Sequence, residues 1–357
     1  MRRALPLVVG LALALSACGG GPEPEPARTA PRITPTAPPT PATDGPPIVL
    51  VISVDGLNPD AITELGDQVP TFNRLISEGA STLDARNDAD VTVTLPNHTG
   101  MITGRGMKGD DGHSVDFNGD NGKTLPDVHG SYVPSMFDVA HDQGVRTAMY
   151  ASKPKFNFLM RSYDDEHGAA DLVLPPDDGR DKIDEEGIES ALTARDDVVD
   201  ALIGDDAGLV FWHVPNPDSI GHAAGWMTAP YLQAVKDSDL VIGETLDLAL
   251  NAGLGKRLTV LLTSDHGGPK GEKKHDEAEL EANYTIPFIA WGAQVAEGVD
   301  LYDLNPERQD PGDERTTFSD PQQPVRNLDV ADTALALLDL PPIDGALASS
   351  WPALRLR

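Results

Sequence analysis

Leu258-Thr259-Val260-Leu261-Leu262-Thr263-Ser264-Asp265-His266-Gly267-Gly268 is the stretch from which the fold can be read. Leu258, Val260, Leu261 and Leu262 form an apolar run without the polar alternation of a half-exposed strand, so the run reads as a strand buried on both faces. Ser264-Asp265-His266 ends it, and the glycine pair turns the chain. A carboxylate and an imidazole at the carboxyl end of a buried strand sit where open α/β sheets hold their ligands. One Asp-His pair alone would be an ordinary loop. Two further runs end the same way: Ile48–Val54 stops at Asp55-Gly56, and Leu209–Val214 leads through Pro215, Asn216 and Pro217 to Asp218 and His222.

Val145–Ser152 and Ile286–Trp291 also read as strands, and Ala80–Arg86 as a further one. Between them lie helical patterns at Asn58–Leu65, Pro70–Glu78, Val133–Gln143, Leu232–Leu250 and Val330–Leu338. The acidic stretch Asp177–Asp206 reads as a helical, solvated face. This alternation predicts an α/β fold, a mostly parallel central sheet with helices on both faces.

Composition bounds the partners. Of 357 residues, 39% are hydrophobic and 24% charged, enough for a large core. A net charge of −30 repels nucleic-acid polymers and anionic lipid surfaces. Cys18 is the single cysteine, which excludes an intrachain disulfide or a thiolate zinc site. Met1-Arg2-Arg3 is basic, Leu5–Leu15 is apolar but far short of the ~20 residues of a membrane span, and Leu15-Ser16-Ala17-Cys18 matches the bacterial lipoprotein box. The expected organisation is therefore a signal peptide over residues 1–17, then a Pro-rich disordered linker over 18–47 that begins at lipidated Cys18. A catalytic domain over 48–342 and a C-terminal tail over 343–357 follow. Such a protein is exported and held on the outer face of a bacterial membrane through its lipid alone.

Polar groups from separate segments gather at strand ends. Val91–Thr94 is β-like and meets Pro96, which suits the first turn of a helix and puts Thr94 at its N-terminus, where free N–H groups favour an anion. Asp218 and His222, four apart, would share a helix face. Carboxylates and imidazoles without thiolates suit Zn²⁺, with Mn²⁺ or Mg²⁺ compatible, in a catalytic rather than structural site. Two such ions ~3.5–4 Å apart can clamp the attacking and leaving oxygens of phosphoryl transfer, and a threonine hydroxyl needs such help to ionise. Asp116, Asn118 and Asp120 alternate as calcium ligands do, but the glycine falls one place late, and they read as a polar turn.

Val54-Asp55-Gly56-Leu57, Thr94-Leu95-Pro96-Asn97-His98, Asn216 through His222 and Ser264-Asp265-His266-Gly267 resemble, in order, the motifs of the alkaline phosphatase superfamily, and most closely its type I phosphodiesterase/nucleotide pyrophosphatase branch. The resemblance runs from about Ile48 to Leu340. It implies that Asp55, Thr94, Asp265 and His266 hold one divalent ion and Asp218 and His222 the other. It also implies that Thr94 attacks phosphorus to give a phosphothreonine that water hydrolyses, with Asn97 donating to a phosphoryl oxygen. The branch's usual third ligand near the C-terminus is missing, since no His follows His275; His275 is the candidate in its place. His98 is expected to be structural or to support a ligand, and His213 has no assigned role. Lys153 and Lys155 are similar to the Lys-x-Lys or Lys-x-Arg pair with which monoester- and phosphonate-cleaving relatives neutralise substrate charge. The expected substrate is a small phosphate ester, a diester first, with a monoester or phosphonate as the alternative. A lipoprotein that only binds ligand or metal is the alternative outside enzymes.

Overall fold

Eight strands form one sheet: β1 (Ile48–Val54), β2 (Ala80–Arg86), β3 (Thr147–Ala151), β4 (Glu185–Ile188), β5 (Leu209–Val214), β6 (Leu258–Thr263), β7 (Thr285–Gly292) and β8 (Val299–Asp300), in the order β4-β3-β5-β1-β6-β7-β2-β8. The computed structural model describes residues 45–170, 179–204, 207–347 and 351–357. The leader, Cys18 and the linker up to residue 44 lie outside the described residues, all of which belong to the unit Pro39–Arg357. No helix among the described residues is long and apolar enough to cross a membrane.

Seven strands run parallel, and β7 alone opposes both of its neighbours. β1, β5 and β6 are buried at every residue, which is what an unbroken apolar strand requires. Side-chain alternation sends Val49 and Val51 into one core with Leu261 and Phe211, and Ile48, Leu50 and Ile52 into the other with Trp212 and Leu262. The helices Thr94–Thr103 and Asp329–Leu337 cover the first face, and Ala229–Asn251 covers the second. With β3, β5, β1 and β6 adjacent and parallel, Lys153, Asp218, Asp55 and Asp265 all follow carboxyl ends at one rim of the sheet.

Three sequence expectations change. Val91–Val93 pairs with no strand; Val93 is extended, but Thr92 bonds to the His275 carbonyl instead of to a ladder. The acidic stretch contains, besides the helix Ala191–Ile203, the edge strand β4, whose Glu-Glu-Gly-Ile carries no β-branched pattern until its last residue and is defined by pairing with β3. Residues past 342 are not a tail: Ile343, Leu354 and Leu356 are buried in the first core, and the Ala296 N–H donates to the Leu356 carbonyl.

One polar residue in the apolar stripe of Ala229–Asn251 has a clear reason. Asp239 is buried because its carboxylate accepts from the backbone N–H groups of Thr71 (3.2 Å) and Phe72 (2.7 Å), capping the helix Pro70–Ser77, whose own N-cap, Val69, offers no side-chain acceptor. Asp239→Ala should cost about 2 kcal/mol, a fall in Tm of roughly 3 °C at ~2.1 cal/mol/K of unfolding entropy per residue, read by thermal unfolding, with Asp239→Asn falling between wild type and Asp239→Ala.

Candidate metal centre

Asp55, Asp218 and Asp265 are buried together at the rim, and in each one carboxylate oxygen is held by protein donors. Asp55 Oδ2 accepts from His213 Nε2 (2.8 Å) and Lys153 Nζ (2.6 Å), and Lys153 Nζ donates also to Asp218 Oδ2. Asp265 Oδ1 accepts from the N–H groups of Gly56 and His266, both at 3.0 Å. The other oxygens, Asp55 Oδ1, Asp218 Oδ1 and Asp265 Oδ2, have no hydrogen-bond partner. Gly56 makes this approach possible: its φ is +69°, and a Cβ there would lie 2.9 Å from the Asp218 backbone.

Three imidazoles complete the cluster, and their tautomers follow from their backbone partners. His266, His275 and His222 direct Nδ1 at the carbonyls of Gly267 (2.8 Å), Thr92 (2.6 Å) and Lys273 (2.9 Å). Carbonyls only accept, so each Nδ1 carries a hydrogen, and a ring in its neutral form presents a bare Nε2 lone pair. His266 Nε2 lies 3.3 Å from Asp265 Oδ2, 3.5 Å from Asp55 Oδ1 and 3.7 Å from Asp218 Oδ1. His222 Nε2 and His275 Nε2 lie 3.3 and 3.6 Å from Asp218 Oδ1 and 3.3 Å from each other. Lone pairs thus face lone pairs in two groups, Asp218–His222–His275 and Asp55–Asp218–His266. A Lewis acid satisfies this donor set, and oxygen and imidazole ligands suit Zn²⁺ or Mn²⁺. Imidazoles whose second nitrogen is anchored to a carbonyl are the usual form of such ligands.

The electrostatics agree. Three carboxylates and one ammonium give the cluster a net −2 when all are ionised. Burial, reinforced by the charge of Asp55, pushes the Asp265 carboxyl well above its ordinary range. Burial acts against ionisation of Asp55 too, but the Lys153 ammonium and the His213 hydrogen bond hold it well below that range. Burial, with the neighbouring His266, pushes His275 down to about 3, and burial also lowers His266. Both rings stay neutral and able to ligate at physiological pH.

Thr94 is the first residue of its helix and is buried. His98 fixes that end: its Nδ1 donates to the Thr94 carbonyl (2.8 Å) and lies 3.7 Å from Asp265 Oδ2, while its Nε2 accepts from Ser53 Oγ (2.9 Å). Two expected substrate contacts read differently. Asn97 commits both amide hydrogens to the Val91 and Val93 carbonyls (3.0 and 3.1 Å), and its oxygen accepts from the Asp88 N–H and from Asn327 Nδ2 (both 3.0 Å), so no N–H is left for a phosphoryl group. Lys153 is bound to two of the cluster's carboxylates. Lys155 remains at the mouth, its Nζ 2.8 Å from Asn118 Oδ1, which also accepts from the Leu95 N–H (3.0 Å). In the polar turn Asp116–Asp120, Asp120 is paired with Arg161. Sequence reasoning missed Trp226, fully buried, whose ring lies edge-on to His222 and His275 at 5.3 and 5.4 Å.

Residues 49–316 match the family model for type I phosphodiesterase/nucleotide pyrophosphatase. The ectonucleotide pyrophosphatase/phosphodiesterase family member 1 of Rattus norvegicus is 24% identical over 260 residues, 67% of this chain and 26% of that protein. The 2,3-bisphosphoglycerate-independent phosphoglycerate mutase of Halobacterium salinarum is 34% identical over 132 residues, 34% of this chain and 24% of its own. The chain thus spans about a quarter of the length of these curated relatives. Among solved structures, murine ectonucleotide pyrophosphatase/phosphodiesterase 5, in an inactive threonine-to-alanine form in complex with AMP, matches with a TM-score of 0.56 at 14% identity, over 83% of this chain and 96% of that one.

Removing divalent metal should destabilise the protein. At a hundredfold excess over Kd, a ligand specific for the folded state adds ~2.7 kcal/mol, so thermal unfolding in EDTA against Zn²⁺ should differ by roughly 4 °C for each ion bound. His275→Ala should lower metal affinity by more than the ~10–100-fold typical of losing an outer-shell partner, read by equilibrium dialysis.

Proposed function

The chain belongs to the type I phosphodiesterase/nucleotide pyrophosphatase family, and from that membership we propose that it hydrolyses small phosphate esters, phosphodiesters or nucleotide pyrophosphates first, through a phosphothreonine at Thr94. The observation that carries the reading is the convergence of unpaired Asp and His lone pairs beside the start of the Thr94 helix.

In this reading Asp55, Asp265, His266 and the Thr94 hydroxyl hold one divalent ion, and Asp218, His222 and His275 the other. Bound there, the ions supply Lewis-acid polarisation of the phosphoryl group and ease ionisation of the threonine hydroxyl. The chain's own residues do the rest. Thr94 Oγ forms a bond to phosphorus as the bond to the leaving oxygen breaks. Water then attacks the phosphothreonine, and Thr94 Oγ departs with the phosphoryl group passed to water. His98 and Asn97 hold the helix start in place, through the Thr94 carbonyl and through the Val91 and Val93 carbonyls. Lys153 offsets charge within the cluster. The AMP complex of the murine relative supports a nucleotide-sized ester as substrate.

A second reading, phosphomonoesters, draws on Lys155. Its ammonium shares Asn118 Oδ1 with the Leu95 N–H, one residue from Thr94, where it would favour a dianion. The proposed lipid anchor at Cys18 would hold this chemistry on the outer face of the membrane.

With Zn²⁺ or Mn²⁺ added, bis-p-nitrophenyl phosphate should be turned over in preference to p-nitrophenyl phosphate; the reverse preference selects the second reading. Thr94→Ala should cut kcat by at least about 10³-fold while metal content and Tm persist. Undiminished turnover in Thr94→Ala would reject the nucleophile, and a wild-type chain that binds metal but cleaves neither ester would leave a binding protein.

A further inference from the structure

His213 is an imidazole in the middle of the sheet, the fifth residue of β5, fully buried and opposite Ser53 of β1. Its neighbours settle its hydrogen. The backbone N–H of Ser152 points at Nδ1 (3.3 Å), and an N–H can only donate, so Nδ1 is the acceptor. In the neutral ring the hydrogen is then on Nε2, which lies 2.8 Å from Asp55 Oδ2 and donates to it. This tautomer is opposite to that of His98, His222, His266 and His275, each of which directs Nδ1 at a carbonyl. The ring packs between Phe156 (4.5 Å) and His98 (5.3 Å).

We infer that His213 is a positioning residue for the metal centre: it pins Asp55 Oδ2, so that Oδ1 is the oxygen turned toward His266 and Asp218. This rests on the metal-centre reading above and adds to it the group that decides which carboxylate oxygen ligates. His213 is not itself a ligand, since one nitrogen accepts from Ser152 and the other carries a hydrogen aimed at Asp55. Nor is it a catalytic residue, since it has no exposed surface and touches no group that substrate could reach. Lys153 alone would not fix Asp55, because its ammonium is shared with Asp218 and can follow either carboxylate. An aromatic ring held on two sides cannot. Ser152 and Lys153 are consecutive, so the turn after β3 supplies both the ammonium on Asp55 and the N–H that sets the His213 tautomer.

Two substitutions of similar size separate the two nitrogens. In His213→Gln the side-chain amide nitrogen falls near the position of Nε2 and can still donate to Asp55. In His213→Asn the amide falls near Nδ1 and can meet Ser152 but cannot reach Asp55. Each full-length variant is titrated with Zn²⁺ and Mn²⁺ in competition with a chromogenic chelator, with Tm measured with and without metal. The Asn variant should lose about 10–100-fold in affinity at one site, the range for an outer-shell partner, and leave the other unchanged. The Gln variant should stay within about threefold of wild type, with the Tm of the two metal-free variants similar. Equal losses in both variants, or no loss in the Asn variant, would overturn the role of Nε2 while leaving the metal centre standing. A wild-type chain that binds neither metal would overturn the metal centre itself and this inference with it.

Discussion

Lone pairs directed at lone pairs are the constraint on which the molecule turns. Three carboxylate oxygens and three imidazole nitrogens face one another at separations of 3.3–3.7 Å, with their hydrogens already given to backbone carbonyls or their partner oxygens already bonded. Such an arrangement is repulsive, and desolvation makes it costlier at the five buried residues, His222 alone of the six being exposed. A divalent cation reverses the sign, turning each lone pair into a ligand. The Lys153 ammonium offsets one of the three carboxylate charges and ties the outer oxygens of Asp55 and Asp218 together.

Holding that arrangement takes a rigid scaffold. β3, β5, β1 and β6 lie side by side and parallel, so their carboxyl ends deliver Lys153, Asp218, Asp55 and Asp265 to one place without long reaches. The strands are dry on both faces, and packing on each face fixes their register. The Thr94 helix then enters from the first core, tied to this rim by His98, whose Nε2 accepts from Ser53 Oγ, and, through Asn97 and Asn327, to the loop before the last helix. Thr92 and His275 exchange bonds, side chain to carbonyl in each direction, so the loop before Thr94 also anchors the His275 ring.

Much of this was legible in the sequence, for a physical reason. Double-sided burial demands apolar runs, and Ile48–Val54, Leu209–Val214 and Leu258–Thr263 stand out as such; charge at the end of each run has no structural excuse, which is why Asp55, Asp218 and Asp265 could be singled out. Helical spacing placed Asp218 with His222, and the departure at the C-terminus pointed to His275, which lies against both. What stayed hidden depends on partners rather than pattern. β4 is acidic and takes its conformation from β3. Asn97 and Lys153 are residue types that bind phosphate readily, and only the neighbours show their hydrogen bonds going elsewhere. His213 interrupts an apolar run as any polar residue might, and nothing in the run reveals the Asp55 carboxylate across the sheet.

Anomalous diffraction from crystals grown with Zn²⁺ tests directly whether ions occupy this cluster. One ion should be bonded to Asp218, His222 and His275 through Oδ1 and the two Nε2 atoms, and a second to Asp55 Oδ1, Asp265 Oδ2, His266 Nε2 and the Thr94 hydroxyl. Density showing these side chains hydrogen-bonded to one another at millimolar Zn²⁺, with no ion between them or with the ions elsewhere, would contradict this placement.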